Sequence, residues 1–159
     1  MTGLSLDALS AVLMIPAGGA ALLLLLPGYR LGAWGNVALS LVTFLAAASL
    51  FVVPRPAPGS FLHLDDLNIV FIVLNTFVGF TAALFSASYI GHELLIGRLS
   101  PVNLRFYHAM YQLMMFGMNL ALVSNNIGLM WVAIELATLT TVLMVGLYRT
   151  HEALEAAWK

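Results

Sequence analysis

Cysteine is absent from the 159 residues, so disulfides, thiolate-bound zinc and cysteine-ligated iron–sulfur clusters are excluded. Charge is scarce as well. Six Lys or Arg and seven Asp or Glu make up 8% of the chain, against about a quarter in an ordinary soluble domain. So few charges cannot clothe the surface of a water-soluble globule. The six basic residues are scattered and form no patch for nucleic acid. There is no phosphate-cradling glycine loop, no HExxH and no nucleophile constellation. What fills the chain instead is apolar: 62% of its residues are hydrophobic, which also excludes disorder.

The few charges lie between long neutral runs. Residues 8–29, 31–54 and 67–92 contain no Asp, Glu, Lys or Arg, and residues 106–148 contain only Glu135. A helix needs about 20 apolar residues to cross a hydrocarbon layer roughly 30 Å thick. The first three runs therefore predict one span each. The fourth is long enough for two, with a turn at Asn125-Asn126. In lipid a backbone must satisfy its own hydrogen bonds, and the short alternating strands of a barrel are missing, so the runs predict helices. The expected fold is an all-α polytopic membrane protein with about five transmembrane helices, near 6–27, 33–54, 67–91, 105–124 and 127–149, in a single membrane domain. Residues 150–159 have helix-favouring, mildly amphipathic composition and suit a surface helix or the entry to a further span.

The basic residues predict orientation. With five spans, Arg30, Arg98, Arg105, Arg149 and Lys159 fall on one side and only Arg55 on the other. The positive-inside rule then puts the N-terminus outside and the C-terminus in the cytoplasm, in a cell inner (plasma) membrane. No basic residue precedes the first apolar run, so that run is expected to remain as an uncleaved first helix.

Glu135 is the one charge placed within the hydrocarbon. It follows Ile127 by eight residues, or about 12 Å along a helix axis. An acidic group at mid-span costs about 2.5–3.5 kcal/mol on insertion scales, which Leu129, Val132, Ile134, Leu136 and Leu139 offset. Lipid disfavours a charged carboxyl and a nearby cation favours it. A group held between the two takes up and releases protons, and the competing reading is a protonated packing residue. Gly128, Val142, Gly146 and Arg149 share its face, Thr138 borders it, and Ala133 with Ala137 forms a small-xxx-small pair beside it. That face is expected to look into protein.

The preceding helix carries His108, Gln112, Met115 and Asn119 on one stripe. An antiparallel hairpin brings Glu135 level with about Phe116, flanked by Gln112 and Asn119. Candidate relay or hydrogen-bond partners of Glu135 are therefore Gln112, Asn119, His108 and Thr138. For Gln112 and Asn119, interhelical packing is an equal alternative. Asn36, Ser40 and Thr43 share a face of the second helix, and Asn68, Asn75, Gly79 and Ser86 a face of the third; both predict buried helix contacts. Asp65 and Asp66 suit a helix N-terminus, while Glu93, Glu152 and Glu155 read as solvated charges. His92 and His108 flank the inner loop, so a haem-binding membrane cytochrome stands as the weakest alternative. No cofactor, metal or catalytic residue is expected in this chain.

Residues 124–138, SNNIGLMWVAIELAT, resemble the fifth helix of the antiporter-like membrane subunits of respiratory complex I and membrane-bound hydrogenases, with hydrogenase-4 component F closer. Tyr89-Ile90-Gly91-His92-Glu93, Leu99-Ser100-Pro101-Val102 and Leu154-Glu155-Ala156-Ala157-Trp158-Lys159 extend the resemblance, which also reaches sodium/proton antiporter subunits. Residues 1–60 match in hydropathy alone. The resemblance implies that Glu135 handles protons, that its partner is a lysine on a later helix, and that Lys159 opens the sixth helix and is not that partner. It implies the N-terminal third of a longer subunit, non-redox itself. Its partners would be lipid, other membrane subunits and a peripheral redox arm of a hydrogenase or complex I-like assembly. The other class of function open to such a chain is a non-conducting membrane anchor.

Overall fold

The computed structural model describes residues 7–57, 59–95, 97, 100–148 and 150–158. Its elements are all helical: α1 (Ala8–Leu25), α2 (Tyr29–Ser49), α3 (Asp66–Leu95), α4 (Pro101–Val123), α5 (Ile127–Val145), a 3-10 turn (Gly146–Tyr148) and α6 (His151–Trp158). Among the described residues there is no strand beyond an isolated bridge between Leu62 and Ser124.

Each start has a local cause. Asp7 accepts the amide of Ser10 at 2.8 Å ahead of α1. Asp65 accepts the amide of Asn68 at 2.7 Å ahead of α3. Ser100 accepts the amide of Asn103 ahead of α4, with a proline in the first turn. Asn126 accepts the amides of Gly128 and Leu129 at 3.0 and 3.1 Å, so the predicted turn at Asn125-Asn126 ends as the cap of α5. Gly28, at φ 87°, makes the tight reversal between α1 and α2.

Helices α1, α2, α3 and α5 are long and apolar enough to cross a membrane. Helix α4 has the length, with 23 residues, but is less apolar because it carries Arg105, His108, Gln112 and Asn119. The last three are buried, so the polar groups of α4 face protein and its position is central. Large apolar side chains such as Leu25, Val52 and Phe85 are exposed on the outside of the bundle, as a lipid-facing surface requires. Several helices start earlier or run further than the neutral runs predict: Arg30, Glu93 and Arg105 lie within α2, α3 and α4. A charge ends a hydrophobic span without ending a helix, because the backbone bonds continue into the interface.

Successive helices alternate in direction, and each end of the bundle has its own core. At one end Leu9, Val12, Ala47, Leu50, Ile69, Ile72 and Val123 pack together. There the α2–α3 loop is joined to the α4–α5 turn: the His63 amide donates to the Val123 carbonyl and the Asn125 amide to the Phe61 carbonyl, both at 2.8 Å. Arg55 pairs with Asp66 at the same end. At the other end Ile90 and Leu104 are covered by Tyr29, Tyr107, Leu147 and Tyr148. Arg30 and Arg105 belong to this end; Arg98, Arg149 and Lys159, on which the orientation also draws, lie outside the described residues.

Candidate functional site

Helix α5 is held by a narrow contact. Gly117 of α4 lies against α5 so closely that a β-carbon added there would be 3.0 Å from the Ala133 carbonyl oxygen, 3.1 Å from the Ala137 nitrogen and 3.3 Å from its β-carbon. Ala133 and Ala137 are four residues apart and share one face, so a glycine opposite them lets the two backbones touch. Thr140, one turn further on, is also buried. The rest of α5 is open: 11% of its span is buried, against 39% for α1 and α2.

Glu135 lies midway between the two alanines. Two residues along a helix turn the side chain roughly 160° away, so it points opposite to the contact. It is exposed, and among the described residues its carboxyl makes no hydrogen bond or ion pair. Gly128 and Val142, on the same face, are exposed as well. None of the described residues covers this face, so protein expected against it would have to come from outside the described residues. The small-xxx-small pair, which does make the contact, directs Glu135 outward.

The expected height of Glu135 is nearly right, since Gly117 adjoins Phe116. Rotation separates it from the stripe on α4. Gln112 and Asn119 lie roughly 140° and 160° around the helix from Gly117. The Gln112 amide donates to Asn36 Oδ1 at 2.8 Å and Ser40 Oγ at 2.9 Å, both on α2. Asn119 accepts from the Asn75 amide of α3 at 2.9 Å and donates to the Val12 carbonyl of α1 at 3.4 Å. The structure thus brings Gln112 and Asn119 to α1, α2 and α3 and does not bring them to Glu135. Thr138 is exposed and donates back to the carbonyls of Ile134 and Glu135, within its own helix. His108 is buried, with the ring of Tyr107 edge-on at 5.3 Å. His92 is exposed.

The polar face expected on α2 is buried throughout, at Asn36, Ser40 and Thr43; on the face expected on α3, Gly79 and Ser86 are buried and Asn68 and Asn75 half-buried, and Thr76 beside it is buried as well. Glu93, expected as a solvated charge, is instead buried, at 3% exposure. The spacing held the signal, because Glu93 continues the seven-residue progression of Gly79 and Ser86 on one face of α3. Around that end Ser86 and Tyr107 share a hydrogen bond of 2.9 Å. Tyr148 lines one cavity with Tyr89 and Tyr107. The Tyr29 hydroxyl crosses from α2 to the Ala87 carbonyl of α3 at 2.5 Å.

No protein-family model matches the chain. Over 150 residues, 94% of its length, it is 58% identical to a curated protein of Methylacidiphilum infernorum (isolate V4) named hydrogenase-4 component F homolog. The chain spans 31% of the length of that relative. Across the segment it spans, this membrane chain is therefore similar to a hydrogenase-4 component F homolog.

Proposed function

We propose that this chain is a proton-handling, non-redox segment of the membrane subunit of a hydrogenase-4- or complex I-like oxidoreductase, with Glu135 taking up and releasing the proton. One observation carries the reading: an exposed carboxyl at mid-span, on the open face of the least buried spanning helix. Facing lipid, that group costs about 2.5–3.5 kcal/mol on insertion scales. Such a position is kept where the group acts on an ion path or meets a partner. The relative is about three times as long as the chain, so further segments of such a protein are available to cover the open face of α5. A cation brought there would favour the charged carboxyl, and its withdrawal the neutral one.

In this reading the membrane is the inner (plasma) membrane. The end carrying Arg30 and Arg105 is cytoplasmic, so a reporter fused after Thr150 should read cytoplasmic. Redox centres belong to partner subunits in a peripheral arm. Glu135→Gln in the assembled complex is the decisive experiment. Proton translocation should be lost while assembly and electron transfer to the natural acceptor persist. Unchanged translocation sinks the carrier role and leaves a structural anchor. Soret absorption in the purified chain would replace both with a haem protein.

A further inference from the structure

The register between α2 and α4 places a second polar group of residues deep in the bundle, turned away from Glu135. Both helices run in the same direction. Gly32, Asn36 and Ser40 repeat at four-residue spacing on α2, and His108 and Gln112 do so on α4. Gly32 lies beside the imidazole of His108, and Asn36 and Ser40 receive the Gln112 amide. Asn36 and Gln112 are fully buried and His108 is 1% exposed.

The hydrogen bonds leave this group unbalanced. Gln112 Nε2 is engaged, but Gln112 Oε1, Asn36 Nδ2 and both ring nitrogens of His108 have no protein partner among the described residues. Turning both amides over keeps the 2.8 Å pair and exchanges donor for acceptor on each unpaired atom. Either way one amide NH2 and one amide oxygen stay unpaired. A neutral imidazole adds one further donor and one further acceptor. Buried polar groups are nearly always satisfied, and in lipid no solvent is at hand to do it.

The missing partner must both donate and accept, and it must be small. Water is the ligand of that description, commonly making about three hydrogen bonds to buried groups that lack partners. The packing of Gly32 on the ring is not tight. A β-carbon built on buried Gly32 would touch only His108 Cδ2, at an ordinary 3.6 Å. We propose that Asn36, His108 and Gln112 hold ordered water at the α2–α4 interface, as a hydrated site separate from Glu135.

The test is nuclear magnetic resonance on the whole chain in lipid nanodiscs, labelled with 15N at Asn, Gln and His. Rotating-frame cross-peaks to water, of the sign that marks proximity and not proton exchange, are expected at the Asn36 side-chain amide and the His108 ring N–H. They should be lost in Gly32→Val, which fills the space. Their absence from the wild-type chain overturns the proposal. A second measurement depends on sign. His108→Phe keeps an aromatic ring and removes both ring nitrogens. If water is bound, the change strands it and lowers the unfolding midpoint. If the site is dry, the change removes two unpaired polar atoms and raises it, which also overturns the proposal. The wild-type spectrum decides where a variant does not fold.

Discussion

Gly117 of α4 packs so closely on Ala133 of α5 that a β-carbon added there would be 3.0 Å from the Ala133 carbonyl oxygen, tighter than an ordinary contact. The obstructing atoms are two α5 backbone atoms and the Ala137 β-carbon, none of which can swing aside. Gly79 offers the contrast. A methyl group at Gly79 would be 2.5 Å from Met115 Cε, the far end of a flexible side chain that rotates away. Gly117→Val should therefore destabilise the α4–α5 contact by about 1–3 kcal/mol, the usual range for overpacking, while Gly79→Ala costs much less. Reversible unfolding in mixed micelles measures both. Equal effects would show that backbone proximity at Gly117 is not what holds α5.

The same contact decides how Glu135 responds to its surroundings. In this chain alone the side chain faces hydrocarbon, so Glu135→Leu should ease membrane insertion of α5 by about 3 kcal/mol. A glycosylation-reporter insertion assay reads that change. In a subunit of the relative's full length, where further segments can meet the carboxyl, the substitution should lower stability instead. A gain in both settings would mean that nothing polar ever covers Glu135.

These contrasts show where the sequence was legible. Neutral runs and one Asn-Asn turn predict the helix order because membrane spans are written in composition. The small pair on α5 was visible, and so was the stripe on α4. The rotation of α5 about its own axis is harder to read. Ala133 and Ala137 define the packed face, and the residue between them must point away from it. The direction of Glu135 was therefore implicit in two-residue spacing, but a charge invites the assumption of a buried partner. Glu93 is the opposite case: its position near a loop suggests solvent, whereas the seven-residue spacing from Gly79 and Ser86 places it on a buried face. The pairing of Gln112 with Asn36 was not legible at all. It depends on α2 and α4 being parallel neighbours, which no local pattern encodes.

Asn75 and Asn119 are the direct polar tie between α3 and α4, at 2.9 Å. A double-mutant cycle with Asn75→Ala and Asn119→Ala should give a coupling near the membrane average of about 0.6 kcal/mol, and no more than about 1.7 kcal/mol. Asn119→Ala alone should cost more than Asn75→Ala, because it also removes the donor to the Val12 carbonyl on α1. A coupling of zero would mean that the pair contributes packing only.

Asp7 gives the fold a defined acid sensitivity outside the membrane. The Ser10 side chain and then its backbone amide hydrogen-bond the carboxylate and hold its pKa below the ordinary 3.8, with slight burial opposing them. A group depressed in the folded state stabilises it fully above the unfolded pKa and loses that effect as pH falls through the folded value. The first turn of α1 should therefore be intact at neutral pH and should fray only on acidification below about pH 4. Amide exchange at Ser10 and Ala11 follows that fraying. Asn is an equally good cap that does not titrate in this range. Asp7→Asn should accordingly leave the turn as stable as at neutral pH and remove its acid dependence, whereas Asp7→Ala should fray it at every pH. If Asp7→Asn frays below pH 4 as the unsubstituted chain does, the acid step belongs to another group.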